Sequence, residues 1–146
     1  MHDTHLLQLI IDDFAPTQHL LELRRYGLED RALVSSRMVG VLDRIKELDA
    51  RIPCGVSVGG RLARRSQHWQ DWRRAVLDGL AAARWDAVMA NHKLVGQALV
   101  DAVRERDGDL YCWTVDSRSV LERLESLEVS GITTNDPRLF VPARIG

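Results

Sequence analysis

The sequence predicts an α/β fold of about six parallel strands alternating with helices. Three observations carry this. Short β-type runs recur along the chain, and stretches with apolar residues at three- and four-residue spacing lie between them. The runs are apolar on both faces, as parallel strands covered by helices require. Their starts fall at 6, 31, 52, 86, 110 and 131, a repeating βα unit with one long interval between 52 and 86. Two architectures meet this pattern: an open doubly wound sheet, or part of a (β/α) barrel.

Each element has its own warrant. Leu6 to Asp12 (LLQLIID) is a short apolar run. Thr17 is placed to cap the helix that follows through Tyr26, by offering an acceptor to unpaired amides, and Gly27 stops that helix. Arg31 to Ser35 reads as a strand, and Met38 to Leu48 carries apolar residues at 38, 41, 42, 45 and 48, a helical spacing. Pro53 to Val58 is a strand bounded by Pro and Gly, and Ser66 to Ala83 is a long helix. Asp86 to Ala90 is a short strand, followed by a helix over Leu94 to Arg106. Leu110 to Val115 (LYCWTV) is the clearest strand. Alternation puts Tyr111, Trp113 and Val115 on one face of it, and Leu110, Cys112 and Thr114 on the other. Ser117 to Leu127 is amphipathic, with Val120, Leu121, Leu124 and Leu127 on one stripe, and Gly131 to Thr134 is a last short strand.

Composition narrows the class. The chain has 146 residues, 45% hydrophobic and 28% charged, which excludes a disordered tail and a disulfide scaffold. No linker divides it, so residues 1–146 are read as one domain. Twenty basic against 21 acidic side chains leave a net charge of −1, so no nucleic-acid partner is expected. No apolar run approaches the roughly 20 residues of a membrane span. The N-terminus lacks the basic region of a signal peptide. Cys54 and Cys112 sit inside apolar runs, and buried reduced thiols in a cytoplasmic protein account for them.

Ligand sites in either architecture form at the C-terminal ends of the strands. The residues there are Asp12 and Asp13, Ser35 and Ser36, Gly59 and Gly60, Asn91 and His92, Thr114 and Asp116, and Thr134 to Asp136. Asp12 and Asp13 can hold a hard cation, or form a solvated turn before a helix. His2 and His5 lie near the terminus without a metal-ligand spacing, and no glycine-rich phosphate loop occurs. The segment RLARRSQHWQDWRR interleaves basic residues with Trp69 and Trp72. That reads either as an anion-binding surface or as an amphipathic helix with Trp inward and Arg stems outward, and overall neutrality favours the helix.

The C-terminal third is more specific. LYCWTVD, then SRSVLERLESL, then EVSGITTNDPRLF resembles the closing section of the glycerophosphodiester phosphodiesterase family. Trp113 to Asp116 match the family's WTVN or WTVD. Gly131 to Pro137 match its GVDGIITDxP ending, with Ser130 at a position more often Asp. Upstream, ALVSSRM resembles a strand ending in VSSF, with Arg37 in place of Phe. RIPCGVSVG resembles an IPLGLL strand, and DAVMANHKLV resembles DGVNPHHxLV. The resemblance runs from about residue 20 to residue 140.

This resemblance implies a partial (β/α) TIM-type barrel and hydrolysis of glycerophosphodiesters to glycerol 3-phosphate and an alcohol. In the family a histidine pair serves as acid and base, and acidic ligands hold a divalent metal, Mg²⁺ or Ca²⁺. The family's HRG and Glu-x-Asp motifs do not occur here, and Ile10 and Asp12 stand at the Glu-x-Lys positions. MHDTHL resembles its HD-x-x-L motif, which maps to His2, but only about eight residues separate it from the Glu-x-Lys position where the family has tens. Metal ligands are therefore not evident, no catalytic residue is assigned, and catalysis by this chain is left open. A full barrel needs about 250 residues, and at least roughly 200. The expectation is the C-terminal portion of such a barrel, incomplete alone, and either an oligomer, a half joined by a complementing chain, or a catalytically inactive interaction module. Trp113 is the expected wall of a substrate pocket, Ser36 and Asn91 its rim, and Asn135 a neighbour at the end of the last strand.

Overall fold

The computed structural model of the protein describes residues 7–11, 13, 15–59 and 66–140. Six strands form one sheet: β1 (Leu7–Ile10), β2 (Ala32–Ser36), β3 (Cys54–Val58), β4 (Ala87–Asn91), β5 (Asp109–Trp113) and β6 (Gly131–Ile132). Five helices connect them: α1 (Pro16–Arg25), α2 (Val39–Leu48), α3 (Ser66–Ala81), α4 (Gln97–Arg104) and α5 (Arg118–Ser126). Every neighbouring pair is parallel, and the strands lie in chain order from β1 to β6. A doubly wound sheet reverses its strand order at a switch point. This one does not, and it curls until Thr133, just past β6, reaches Gln8 on β1. The fold is therefore a partial TIM-type barrel.

The two faces of the sheet differ. The outer face carries Ile11, Val34, Cys54, Val56, Val88, Leu110 and Cys112, packed with Leu20, Leu42, Ile45, Val76, Val100 and Leu124 from the five helices. Burying each of these aliphatic side chains contributes about 1.5–3 kcal/mol. Leu42, Ile45 and Leu124 are wholly buried, which explains the helical spacing seen in the sequence. Among the described residues the inner face holds a smaller cluster: Leu33, Ala87 and Met89, with Tyr111 and Trp113 against it. Cys54 and Cys112 are free, wholly buried thiols, and desolvation pushes both up to about 12. At the N-terminal end of the sheet, the Asp86 carboxylate accepts the Cys54 amide at 2.8 Å and pairs with Lys46 Nζ at 2.6 Å, fastening α2 to β3 and β4.

Three local expectations change. Thr17 is not the cap of α1. The helix starts one residue earlier at Pro16, whose missing N–H needs no partner, and Asp13 accepts the Ala15 amide at 3.0 Å instead. The helix of the fourth unit begins at Gln97 rather than Leu94, because a 3-10 turn over His92–Leu94 intervenes. Finally, β5 ends at Trp113, so alternation stops there: Thr114 faces the inside and Val115 joins the outer core.

Candidate functional site

The curled sheet encloses a cavity of about 260 Å³ at its C-terminal mouth. Position along each strand decides who lines it. Gln8 and Ile10 come from β1, Ser35 from β2 with Arg37 just beyond it, and Ser57 from β3. Trp113 ends β5, with Thr114 next, and Thr133 follows β6. The polar strand residues share one parity: Gln8 Nε2 donates to Ser35 Oγ at 2.9 Å, and Thr133 Oγ1 donates to Gln8 Oε1 at 3.5 Å.

Trp113 forms the aromatic wall of this cavity. Its indole Nε1 donates to the Met89 carbonyl at 3.0 Å, which locks the ring against β4. Ser36 points to the helix side instead. It is wholly buried, and its Oγ accepts the Met38 amide at 2.9 Å, leading into α2. Asn91 stands directly opposite Trp113 in the β4–β5 register, and its Oδ1 accepts the Lys93 amide at 3.0 Å. Asn135 donates its backbone amide and its Nδ2 to the two Asp116 carboxylate oxygens, at 3.0 and 3.3 Å. Thr134 Oγ1 also reaches Asp116, at 3.3 Å. Asp116 thus ties the loop after β5 to the loop after β6.

His92 follows β4, and its imidazole is held below the ordinary histidine value. Burial is the main cause, with the Arg123 and Lys93 cations adding to it. Arg123 donates to the His92 and Val95 carbonyls at 2.8 and 2.7 Å, so α5 braces this turn.

The described lining offers one guanidinium, four hydroxyls and one amide, and no carboxylate. A hard divalent cation takes carboxylate-rich oxygen sets. Among the described residues no three His, Cys, Asp or Glu side chains converge on a point. The described residues therefore do not fit a resident divalent metal. His2, His5, Asp12, Gly60 and Arg61 to Arg65 lie outside the described residues.

Ser35 and Thr114 stand in the cavity as their strand-end positions suggest, while Gln8, Ser57 and Thr133 also line it without having been expected from the sequence, although a signal existed. Gln8, Ser35 and Ser57 are polar residues inside otherwise apolar parallel strands, which marks them for notice, although Ser36 shows that such a residue can also turn to the helices and bond their backbone.

Residues 12–139 match the sequence pattern of the Glycerophosphoryl diester phosphodiesterase family. The chain belongs to this family. The glycerophosphodiester phosphodiesterase GDPD4 of Arabidopsis thaliana is 39% identical over 49 residues, covering 34% of this chain and 15% of that protein. A crystal structure from Silicibacter pomeroyi, a candidate glycerophosphoryl diester phosphodiesterase, superposes with a TM-score of 0.75 at 21% identity, over 92% of this chain and 47% of its own. A phosphodiesterase from Oleispira antarctica, solved with its product sn-glycerol-3-phosphate, gives 0.64 at 14% identity, over 84% and 46%. The chain thus spans about half the length of these two solved family members. The motifs behind the resemblance have visible structural work in this family fold. Trp113 walls the cavity, and Asp116 joins Thr134 and Asn135.

Proposed function

We propose that this chain binds a glycerophosphodiester in the cavity at the strand ends and takes part in its hydrolysis to glycerol 3-phosphate and an alcohol. The observation that carries this is the lining itself: one guanidinium and four hydroxyls facing an indole. Arg37 supplies positive charge for a phosphate oxygen, and the hydroxyls match the hydrogen bonds of a glycerol unit. Trp113 gives the apolar carbons a flat wall. The glycerol 3-phosphate complex of the Oleispira antarctica relative supports the same ligand class. Ser36 serves by shaping the turn after β2, while Asn91 and Asn135 stand at the rim.

On this reading the acid and base groups, and any Mg²⁺ or Ca²⁺ with its carboxylates, are not among the described residues; a second copy or a complementing chain is one source of them. Barrel enzymes of this kind assemble their chemistry from many strand ends. The two free thiols are consistent with a reducing cytoplasm.

A second reading, a catalytically inactive binding module, is favoured by the absence of carboxylates from the described lining. One experiment separates the readings. Glycerol 3-phosphate release from glycerophosphocholine is measured with Mg²⁺ or Ca²⁺ added, beside calorimetric titration with glycerol 3-phosphate. Release supports the hydrolase, binding without release supports the module, and neither sinks both. Light scattering should show a mass above that of one chain. A monodisperse monomer removes the second-copy assembly.

A further inference from the structure

Gly59 stands where β3 ends, and two of the rim residues meet on it. A Cβ at position 59 would lie 2.6 Å from Trp113 Cζ2, 2.8 Å from Trp113 Cη2 and 2.8 Å from Asn91 Cβ. Nonbonded Cβ contacts this short are essentially never found. The backbone there has φ +155°, a region almost reserved for glycine. The indole is held at its other end by the Met89 carbonyl. The ring therefore fills the space that a side chain on β3 would take, and β4 anchors it.

We propose that Gly59 is a positioning residue for Trp113: the missing side chain at 59 lets the indole reach Met89 and stand as the cavity wall. Gly59 itself is not among the residues lining the cavity, so its action on a ligand passes through the ring. The importance of this for substrate rests on the proposed use of the cavity, whereas the placement of the ring does not.

The indole N–H signals of ¹⁵N-labelled protein report the ring directly. Trp113→Phe and Trp85→Phe assign two of the four tryptophans. In Gly59→Ala the Trp113 signal should shift and its hydrogen exchange rise about ten-fold, as the bond to Met89 loosens. The Trp85 indole, held by the Val76 carbonyl at 3.0 Å, should not move. Calorimetric binding of glycerol 3-phosphate should weaken about ten-fold, the order expected for losing a pocket wall. The double variant Gly59→Ala/Trp113→Phe should lose less relative to Trp113→Phe, because the smaller ring lacks the indole atoms that overlap. If Gly59→Ala is too unstable to study, the double variant should still be the more stable of the two, because the indole overlap is gone while the Asn91 Cβ overlap and the φ of +155° are common to both. An unmoved Trp113 signal, an equal loss in both backgrounds, or a double variant no more stable than Gly59→Ala overturns the proposal. Absence of binding by the unmodified protein overturns the functional reading, while the indole signal still decides the positioning role.

Discussion

Thr133 Oγ1 donates to Gln8 Oε1 at 3.5 Å, joining residues 125 positions apart in the chain. Gln8 also donates Nε2 to Ser35 Oγ at 2.9 Å. One side chain on β1 thus bridges its neighbour β2 and the far end of the sheet beyond β6.

Removing the bridge tests how much it holds the curl. Gln8→Ala should lower stability by about 1–2 kcal/mol, since two hydrogen bonds go and Ser35 is buried. Thr133→Val should lose less, because the 3.5 Å contact is long and exposed. Urea unfolding of both variants and of the double variant measures the coupling. If Thr133→Val is the more damaging of the two, the weight lies outside this bridge.

Acid sensitivity should centre on Asp49. Its buried carboxylate accepts the Arg51 amide, Nε and Nη2, each at 3.1 Å, and Arg24 Nη2 lies 3.5 Å away. These contacts, Arg51 first, hold its pKa down to about 2 against an ordinary 3.8. A carboxyl depressed by folding adds stability that is fully present above its unfolded value and is lost as pH falls through the folded one. The urea midpoint should therefore fall between about pH 4 and pH 2. Asp49→Asn should be less stable at neutral pH and show a shallower fall on acidification. The slope should not vanish, because Asp13, Asp43 and Asp136 are depressed in the same direction, mainly by His19, Arg84 and Arg138. An unchanged slope in the variant would exclude Asp49 as the main source.

Gly79→Ala sets two effects against each other. Alanine for glycine in the last turn of α3 should stabilise the helix by up to about 1 kcal/mol. A Cβ there, however, would lie 2.0 Å from Trp85 Cζ2, and Trp85 is buried with its indole bonded to the Val76 carbonyl. Overpacking a fixed aromatic ring costs about 1–3 kcal/mol, occasionally more, so the net effect should be destabilising. Thermal unfolding reads the sign directly, and a raised Tm would mean that Trp85 relaxes freely.

Much of the architecture was legible because it is written in local chemistry. Short apolar runs and period-3.6 apolar patterns placed the six strands and five helices of the described residues within a few positions. Boundaries slipped where one local interaction outranked propensity: Pro16 and Asp13 at the start of α1, and the Asn91-capped turn ahead of α4. The lining of the cavity was harder to read. Ser35 and Ser36 are chemically alike and adjacent, yet one faces the lumen and the other the helices. A strand has a period of two, so a shift of one residue exchanges the faces. The same parity moved Thr114 and Val115 once β5 ended at Trp113.

By itself, then, the sequence determined the alternation of strands and helices, the helix-facing core and the family to which the motifs belong. These follow from side-chain pattern, which acts over a few residues. Only the tertiary structure decided that the strands lie in unbroken order, that the sheet curls until Thr133 meets Gln8, and that Gly59 makes room for Trp113. Those relationships join residues tens of positions apart or more. They depend on strand register and sheet curvature, which no local spacing encodes.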